Sequence, residues 1–172
     1  MHHCCPKVFE NAAAMDDYLY TSCMQINFPK YEFKVRHMGE QPQIFDAIRK
    51  RFVALTPEEW VRQHWLRYLV EEKKYPRSLV AVEMSLKLNK LSKRCDIVVF
   101  GRNGLPQLIV ECKAAEVKLS QKVFDQIARY NLALKVSYLV VSNGWKHYCC
   151  AIDAGKGSYH FMEALPDWSA FH

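Results

Sequence analysis

Asp96, Glu111 and Lys113 are the residues whose types and spacing could do chemistry. They lie in "RCDIVVFGRNGLPQLIVECKA", residues 94–114, where two apolar runs flank Asn103-Gly104. Asn-Gly between apolar runs signals a two-residue hairpin turn. That register sets Asp96 opposite Glu111, Arg102 opposite Leu105 and Lys113 opposite Arg94, with 94, 96, 111 and 113 on one face. Pro106 is placed to force a bulge. Opposed side chains have Cβ atoms about 4.5–5.5 Å apart, so two facing carboxylates repel unless something positive lies between them. Lys113 and Arg94 supply part of that charge, and a divalent cation would supply more. Carboxylates and a backbone carbonyl suit Mg²⁺, which prefers hard oxygen ligands and keeps several waters. A lysine beside such a cation can hold an attacking water or stabilise a charged phosphate, while the metal polarises and activates. The competing reading is a sheet-edge ion cluster with Glu111 bound to Lys113 or Arg94. The apolar character of both strands favours a site. On this reading Asp96→Ala should relieve repulsion and stabilise the metal-free protein.

The surrounding sequence supplies elements to position those groups. "TPEEWVRQHWLRYLVEEKKYP" predicts a helix with Thr56 as N-cap, Pro57 at the first helical position and Glu59 completing a capping box. Val61, Trp65, Tyr68 and Leu69 follow helical spacing, and Pro76 marks a stop. "SLVAVEMSLKLN" alternates, which puts Val80, Val82, Met84, Leu86 and Leu88 on one face of a strand and Glu83 on the opposite, solvated one. Residues 95–100 and 107–112 form two strands buried on both sides. "SQKVFDQIARYNLALK" is a second helix capped by Ser120. "SYLVVSNG" and "KHYCCAID" pair around Asn143-Gly144, and "SYHFMEAL" holds a last strand. Residues 25–55 leave two alternatives open: a hairpin across Gly39 to Pro42, or a helix through "IFDAIRKRFVAL". The order is helix, three strands, helix, strands, an α/β layer with a mixed sheet.

Composition bounds the rest. The 172 residues suit one domain and a sizeable core. Residues 24–172 read as that domain, and 1–23 as an N-terminal extension with Met24 as an alternative start. A formal net charge of +6 permits a polyanionic partner without demanding one. No stretch approaches a membrane span, and the N-terminus lacks the apolar core of a secretory signal. The seven cysteines are odd in number and contain no C-x-x-C pair. Cys95, Cys112, Cys149 and Cys150 sit in apolar runs and read as free buried thiols of a reducing cytoplasm. His2, His3, Cys4 and Cys5 are too closely spaced for a structural zinc site. Trp60, Trp65 and Tyr68 read as core rather than base-stacking residues, and His64 as structural or exposed. His147 reads as a turn histidine without an evident partner. Arg49, Lys50 and Arg51 read as a solvated basic run. No phosphate-binding P-loop motif occurs, so the chain carries no nucleotide-driven motor of its own.

Asp96 followed by Glu111-Cys112-Lys113 resembles the PD-(D/E)xK nuclease motif, and the element order resembles that superfamily's α-β-β-β-α-β core. Gln126 and Tyr130 in "DQIARYN" resemble the Q-x-x-x-Y motif of RecB-like nucleases and of type I restriction R subunits. With "LTPEEWVRQHWLRYL", "SKRCDIVVF" and "VSNGWKHYCC", residues 24–168 resemble the N-terminal domain family of type I restriction R subunits. The resemblance implies a restriction-endonuclease-like fold, with a central mixed sheet flanked by helices. It implies a cytoplasmic, Mg²⁺-dependent endonuclease acting on DNA, with Mn²⁺ as substitute metal and RNA not excluded. Asp96, Glu111 and the Cys112 carbonyl would hold the metal, and Lys113 would position water. Gln126 and Tyr130 would steady the site or touch the backbone of the nucleic acid. Some relatives add a first-helix acid, here Glu58 or Glu59. Type I R subunits continue into a translocase, so a separate motor or specificity subunit is an implied partner. The rival reading is a non-catalytic nucleic-acid or protein-binding module on the same fold.

Overall fold

A computed structural model describes residues 26–39, 41–88, 91–153 and 155–170. The extension over 1–23, the start at Met24 and the residues His2, His3, Cys4 and Cys5 lie outside the described residues. Strands β1 (Val35–Met38), β2 (Gln41–Asp46) and β3 (Arg51–Ala54) form an antiparallel three-stranded sheet. Gly39, with φ +69°, follows β1 at the first turn. "IFDAIRKRFVAL" is therefore the second hairpin and not a helix. The cause is local. Asp46 Oδ1 accepts from the Ile48 and Arg49 amides at 2.8 and 2.7 Å, capturing donors that a helix would have used.

Helix α1 (Pro57–Arg67) opens as its sequence dictates. Thr56 Oγ1 accepts from the Glu59 amide at 3.1 Å, and Glu58 and Glu59 occupy the first turn, where the helix dipole favours acids. The capping box is only half formed. The Thr56 amide donates to Ala54 O, and the Glu59 carboxylate points elsewhere. The helix widens into a π-helical turn at Tyr68–Glu72 before the chain enters the large sheet.

That sheet runs β4 (Val80–Leu88), β5 (Leu91–Phe100), β6 (Pro106–Cys112), β7 (Tyr138–Ser142), β8 (His147–Asp153) and β9 (Ser158–Met162), in that spatial order. Every pairing is antiparallel except β6 with β7. A parallel pair needs a crossover, and helix α2 (Gln121–Leu134) supplies it. Its N-terminus is capped by Ser120, whose Oγ accepts from the Val123 amide. The chain order α1-β4-β5-β6-α2-β7 is the order the resemblance implies.

The sheet is buried on both faces. Val61, Trp65 and Leu69 pack on Ile97, Val99, Leu108 and Val110, while Phe124 and Ala128 pack on Val98, Ile109, Leu139 and Val141. Each buried Val, Leu, Ile or Phe among them contributes roughly 1.5–3 kcal/mol by leaving water. Cys95, Cys112, Cys149 and Cys150 are buried and form no disulfide with one another.

One departure from simple alternation matters for function. Val80 and Val82 lie on the α1 side, but Leu86 packs on the α2 side. Likewise Ile97 faces α1 and Cys95 faces α2. The β4–β5 ladder passes from Val82–Ile97 to Met84–Cys95 and skips Glu83 and Asp96 between them. Glu83 takes the left-handed φ of +52°, which an L-residue adopts only under constraint. Both strands change face at this one opposed pair, so the five alternating residues of β4 do not share a single face.

Candidate active site

The face change is what places Asp96. Its Oδ2 accepts from the Cys112 amide at 2.8 Å, and its Oδ1 accepts from Arg62 Nη2 of α1 at 2.9 Å. The β5–β6 ladder holds the expected register at Ile97–Val110, Val98–Ile109 and Val99–Leu108. Beyond Ile97–Val110 the Asp96 carboxylate takes the β6 amide. It thereby ties the first acid to the Glu-Cys-Lys segment. At the other end the register slips by one, to Phe100–Pro106. Gly101 donates to Leu105 O at 2.8 Å, so the turn is longer than two residues and Arg102 does not face Leu105. Proline lacks the amide that a tight register would need.

Glu111 is buried, 7 % exposed, on β6 opposite Val141 of the parallel strand. Lys113 follows the strand end, half-buried, and its amide donates to Ser142 O at 2.8 Å. Arg94 does not serve this pair. It lies opposite Ser85, and its Nη2 donates to Glu83 at 2.6 Å. Glu83 is accordingly not a solvated surface acid. It also binds Arg49 Nη1 at 2.7 Å.

Helix α1 brings two acids with different fates. Glu59 is 5 % exposed, and both its oxygens are engaged: Oε1 by Arg49 and Gln63, Oε2 by Arg62. It is a poor candidate for the first-helix metal acid. Glu58 is more exposed, and Arg62 reaches it at 3.3 Å. Its carboxyl is pushed up first by burial and then by the charge of Asp96, while Lys113 and Arg62 pull it down. Glu58, Asp96, Arg62 and Lys113 thus share one electrostatic neighbourhood. Cys112 turns its thiol into the core, where burial raises it well above the ordinary range and Asp96 adds to the effect.

Residues 57–166 match the family described as Type I restriction enzyme R protein N terminus (HSDR_N). The chain belongs to that family. The match takes in α1, the large sheet and α2, and with them Glu58, Glu59, Arg62, Glu83, Asp96, Glu111 and Lys113, while Arg49 precedes it. The fragment structure of a protein assigned as an HsdR subunit of a type I restriction enzyme, from Vibrio vulnificus YJ016, is 18 % identical with a TM-score of 0.48. The alignment covers 68 % of this chain and 24 % of that one, so the present chain spans about a quarter of its length. None of the curated proteins compared with the chain matches it.

In this R-protein N-terminal domain the donor chemistry fits a hard divalent cation. Asp96, Glu111 and the Cys112 carbonyl offer hard oxygen, and the two Asp96 oxygens are held by the Cys112 amide and Arg62. Among the described residues, however, no three His, Cys, Asp or Glu side chains are gathered into a ready metal site. Gln126 and Tyr130 lie on α2, and their side chains are outside the described residues.

Arg62 and Asp46 carry no role in the sequence pattern, and Arg49 is misplaced by it. A signal existed for the first: an arginine three and four residues after two glutamates, the spacing at which helical side chains form ion pairs. Arg49 is likewise no solvated basic residue, since it holds Asp46, Glu59 and Glu83. His147 also has partners: Nδ1 meets Ser142 Oγ at 2.8 Å, and Nε2 meets Asn27 O at 3.1 Å. Trp60 and Trp65 are core residues, and His64 is buried among Phe28, Tyr31, Phe33 and Trp60. No described helix is long and apolar enough to cross a membrane.

Proposed function

We propose that this domain hydrolyses DNA phosphodiester bonds as a Mg²⁺-dependent endonuclease. The observation that carries the reading is the tie between Asp96 and the Cys112 amide, which brings the first acid of the motif to the strand bearing Glu111 and Lys113. Asp96, Glu111 and the Cys112 carbonyl would hold the metal, with Mn²⁺ as substitute. The bound cation would neutralise charge on the scissile phosphate and lower the pKa of a coordinated water. Lys113, at the half-buried mouth of the site, would hold that water in line and steady the charge of the pentavalent phosphorus. Gln126 and Tyr130 would brace the site or touch the DNA backbone. Recognition through the backbone carries no base sequence, so cutting would be non-specific unless another subunit directs it. A separate motor or specificity subunit would supply that direction in the cytoplasm.

The test is nicking of supercoiled plasmid by the wild type, Glu111→Ala and Lys113→Ala, with Mg²⁺ or Mn²⁺ and with an RNA substrate alongside. Metal-dependent nicking that both variants lose supports the reading. Nicking that persists in the variants would sink it. One observation favours the binding-module alternative: Arg62 already occupies Asp96 Oδ1. Nucleic-acid binding without metal uptake or turnover would establish that alternative.

A further inference from the structure

Arg62 is buried on α1, with a side chain 6 % exposed, yet it faces four carboxylates. Its Nη1 donates to Glu59 Oε2 and lies 3.7 Å from Glu83 Oε1. Its Nη2 lies 2.9 Å from Asp96 Oδ1 and 3.3 Å from Glu58 Oε1. The four acids are not equally dependent on it. Glu59 has Arg49 as a second cation, and Glu83 has both Arg49 and Arg94. Among the described residues, Arg62 is the one guanidinium in contact with Asp96 or Glu58. A buried guanidinium cannot shed its proton, so its charge is permanent. It stands against an oxygen of Asp96 that a metal would use.

We propose that Arg62 is the resident cation of the site: it holds Asp96 in place while the metal is absent, and it competes with a divalent cation for Asp96 Oδ1. This rests on the metal-site reading above. Arg62 is a positioning residue, and its charge sets how tightly the site takes up metal. Metal entry must move the guanidinium away from Asp96 or bind beside its positive charge. Either route weakens uptake. A domain built this way holds its acids in order without metal and loads firmly only when something more, such as the phosphate of a substrate, adds negative charge.

A purely structural ion-pair hub makes a different prediction from a competitor, and the sign separates them. Mn²⁺ titration calorimetry on the wild type, Arg62→Gln, Arg62→Met and Arg62→Lys reads affinity directly. Melting temperatures with and without Mn²⁺ read stability. The neutral variants should melt lower without metal and bind Mn²⁺ roughly tenfold or more tightly, because a positive charge near the ion is gone. Their metal-induced rise in melting temperature should exceed that of the wild type. Arg62→Lys, which keeps the charge, should stay within about threefold of wild-type affinity. Unchanged or weaker Mn²⁺ binding in neutral variants that fold would overturn the competition and leave the nuclease reading standing. Should neither fold, the wild type decides: saturating Mg²⁺ should shift the Arg62 Nε–Hε resonance, and a resonance that stays in place overturns the proposal. Absence of divalent binding in the wild type and all variants would overturn both this inference and the metal site itself.

Discussion

At the scale of the residue, the structure reverses one expectation. Read as a carboxylate facing another carboxylate, Asp96 should destabilise the metal-free protein. In the fold it accepts from the Cys112 amide and from Arg62. Asp96→Ala leaves a strand amide and a buried guanidinium short of a partner, so it should cost about 2–3 kcal/mol in urea unfolding. A variant as stable as the wild type, or more so, would restore the repulsion argument. Lys113→Ala behaves differently. Its hydrogen bond to Ser142 is made by the backbone and survives the substitution. Cleavage should vanish while the melting temperature stays within a degree or two. His64 carries a pH dependence. Its Nδ1 meets Trp60 O at 2.9 Å, so the proton of the neutral ring sits on Nδ1, because a carbonyl can only accept. Burial pulls its pKa down to about 4 from 6.5. The unfolded chain therefore binds the extra proton between those values. The contribution is complete above pH 6.5 and is lost as pH falls toward 4, by up to about 3 kcal/mol. His64→Phe should flatten that part of the stability–pH profile, measured by urea denaturation across the range.

At the scale of the element, the β7–β8 turn is the part that holds Lys113's loop. The Asn143 side chain accepts from the Trp145 and Lys146 amides and donates to Val117 O at 2.8 Å, binding the turn to the segment after Lys113. Gly144 sits at φ +88°, and a Cβ there would come within 2.6 Å of Ile26 and 3.1 Å of Val61. Gly144→Ala combines backbone strain with a clash against the helix. It should lower stability by roughly 2–4 kcal/mol, and thermal unfolding tests it. The two turns read from sequence fared differently for a physical reason. Around Asn143-Gly144 the strands pair as expected, with Ser142 opposite His147. After Asn103-Gly104 comes Pro106, and the ladder slips there. The face change at Glu83 and Asp96 left no trace in the alternation of β4. Met84 and Leu86 remain apolar, and only the side of the sheet on which they lie differs.

At the scale of the whole molecule, α1 and α2 cover opposite faces of one sheet, and the site lies where the ends of β6 and β7 and the middle of β5 meet the start of α1. The parallel β6–β7 pair brings Lys113 beside Ser142 because both strands end on the same edge. The proposed hydrolysis calls on a metal and a water and on no nucleotide, and the sequence holds no P-loop motif. Nicking by the isolated chain should therefore be indifferent to ATP, and stimulation by ATP would show a motor the present reading lacks. DNA affinity should fall steeply with added salt, as backbone binding by a basic chain requires. Fluorescence anisotropy at graded ionic strength measures it.

Much of this was legible in the chain itself. The cap at Thr56, the alternating and doubly buried strands, the crossover helix and the spacing of Asp96, Glu111 and Lys113 are local patterns. They follow from periodicity, capping and turn chemistry over a few residues. What only the tertiary structure decided is long-range. Arg62 meets Asp96 across 34 residues of chain, and Arg49 meets Glu83 across the same separation. A buried charge has to find its counter-charge wherever the fold puts it, because leaving it alone in the interior costs far more than bending two strands to reach it. That pairing, and the face change that permits it, belongs to packing and carries no period in the sequence.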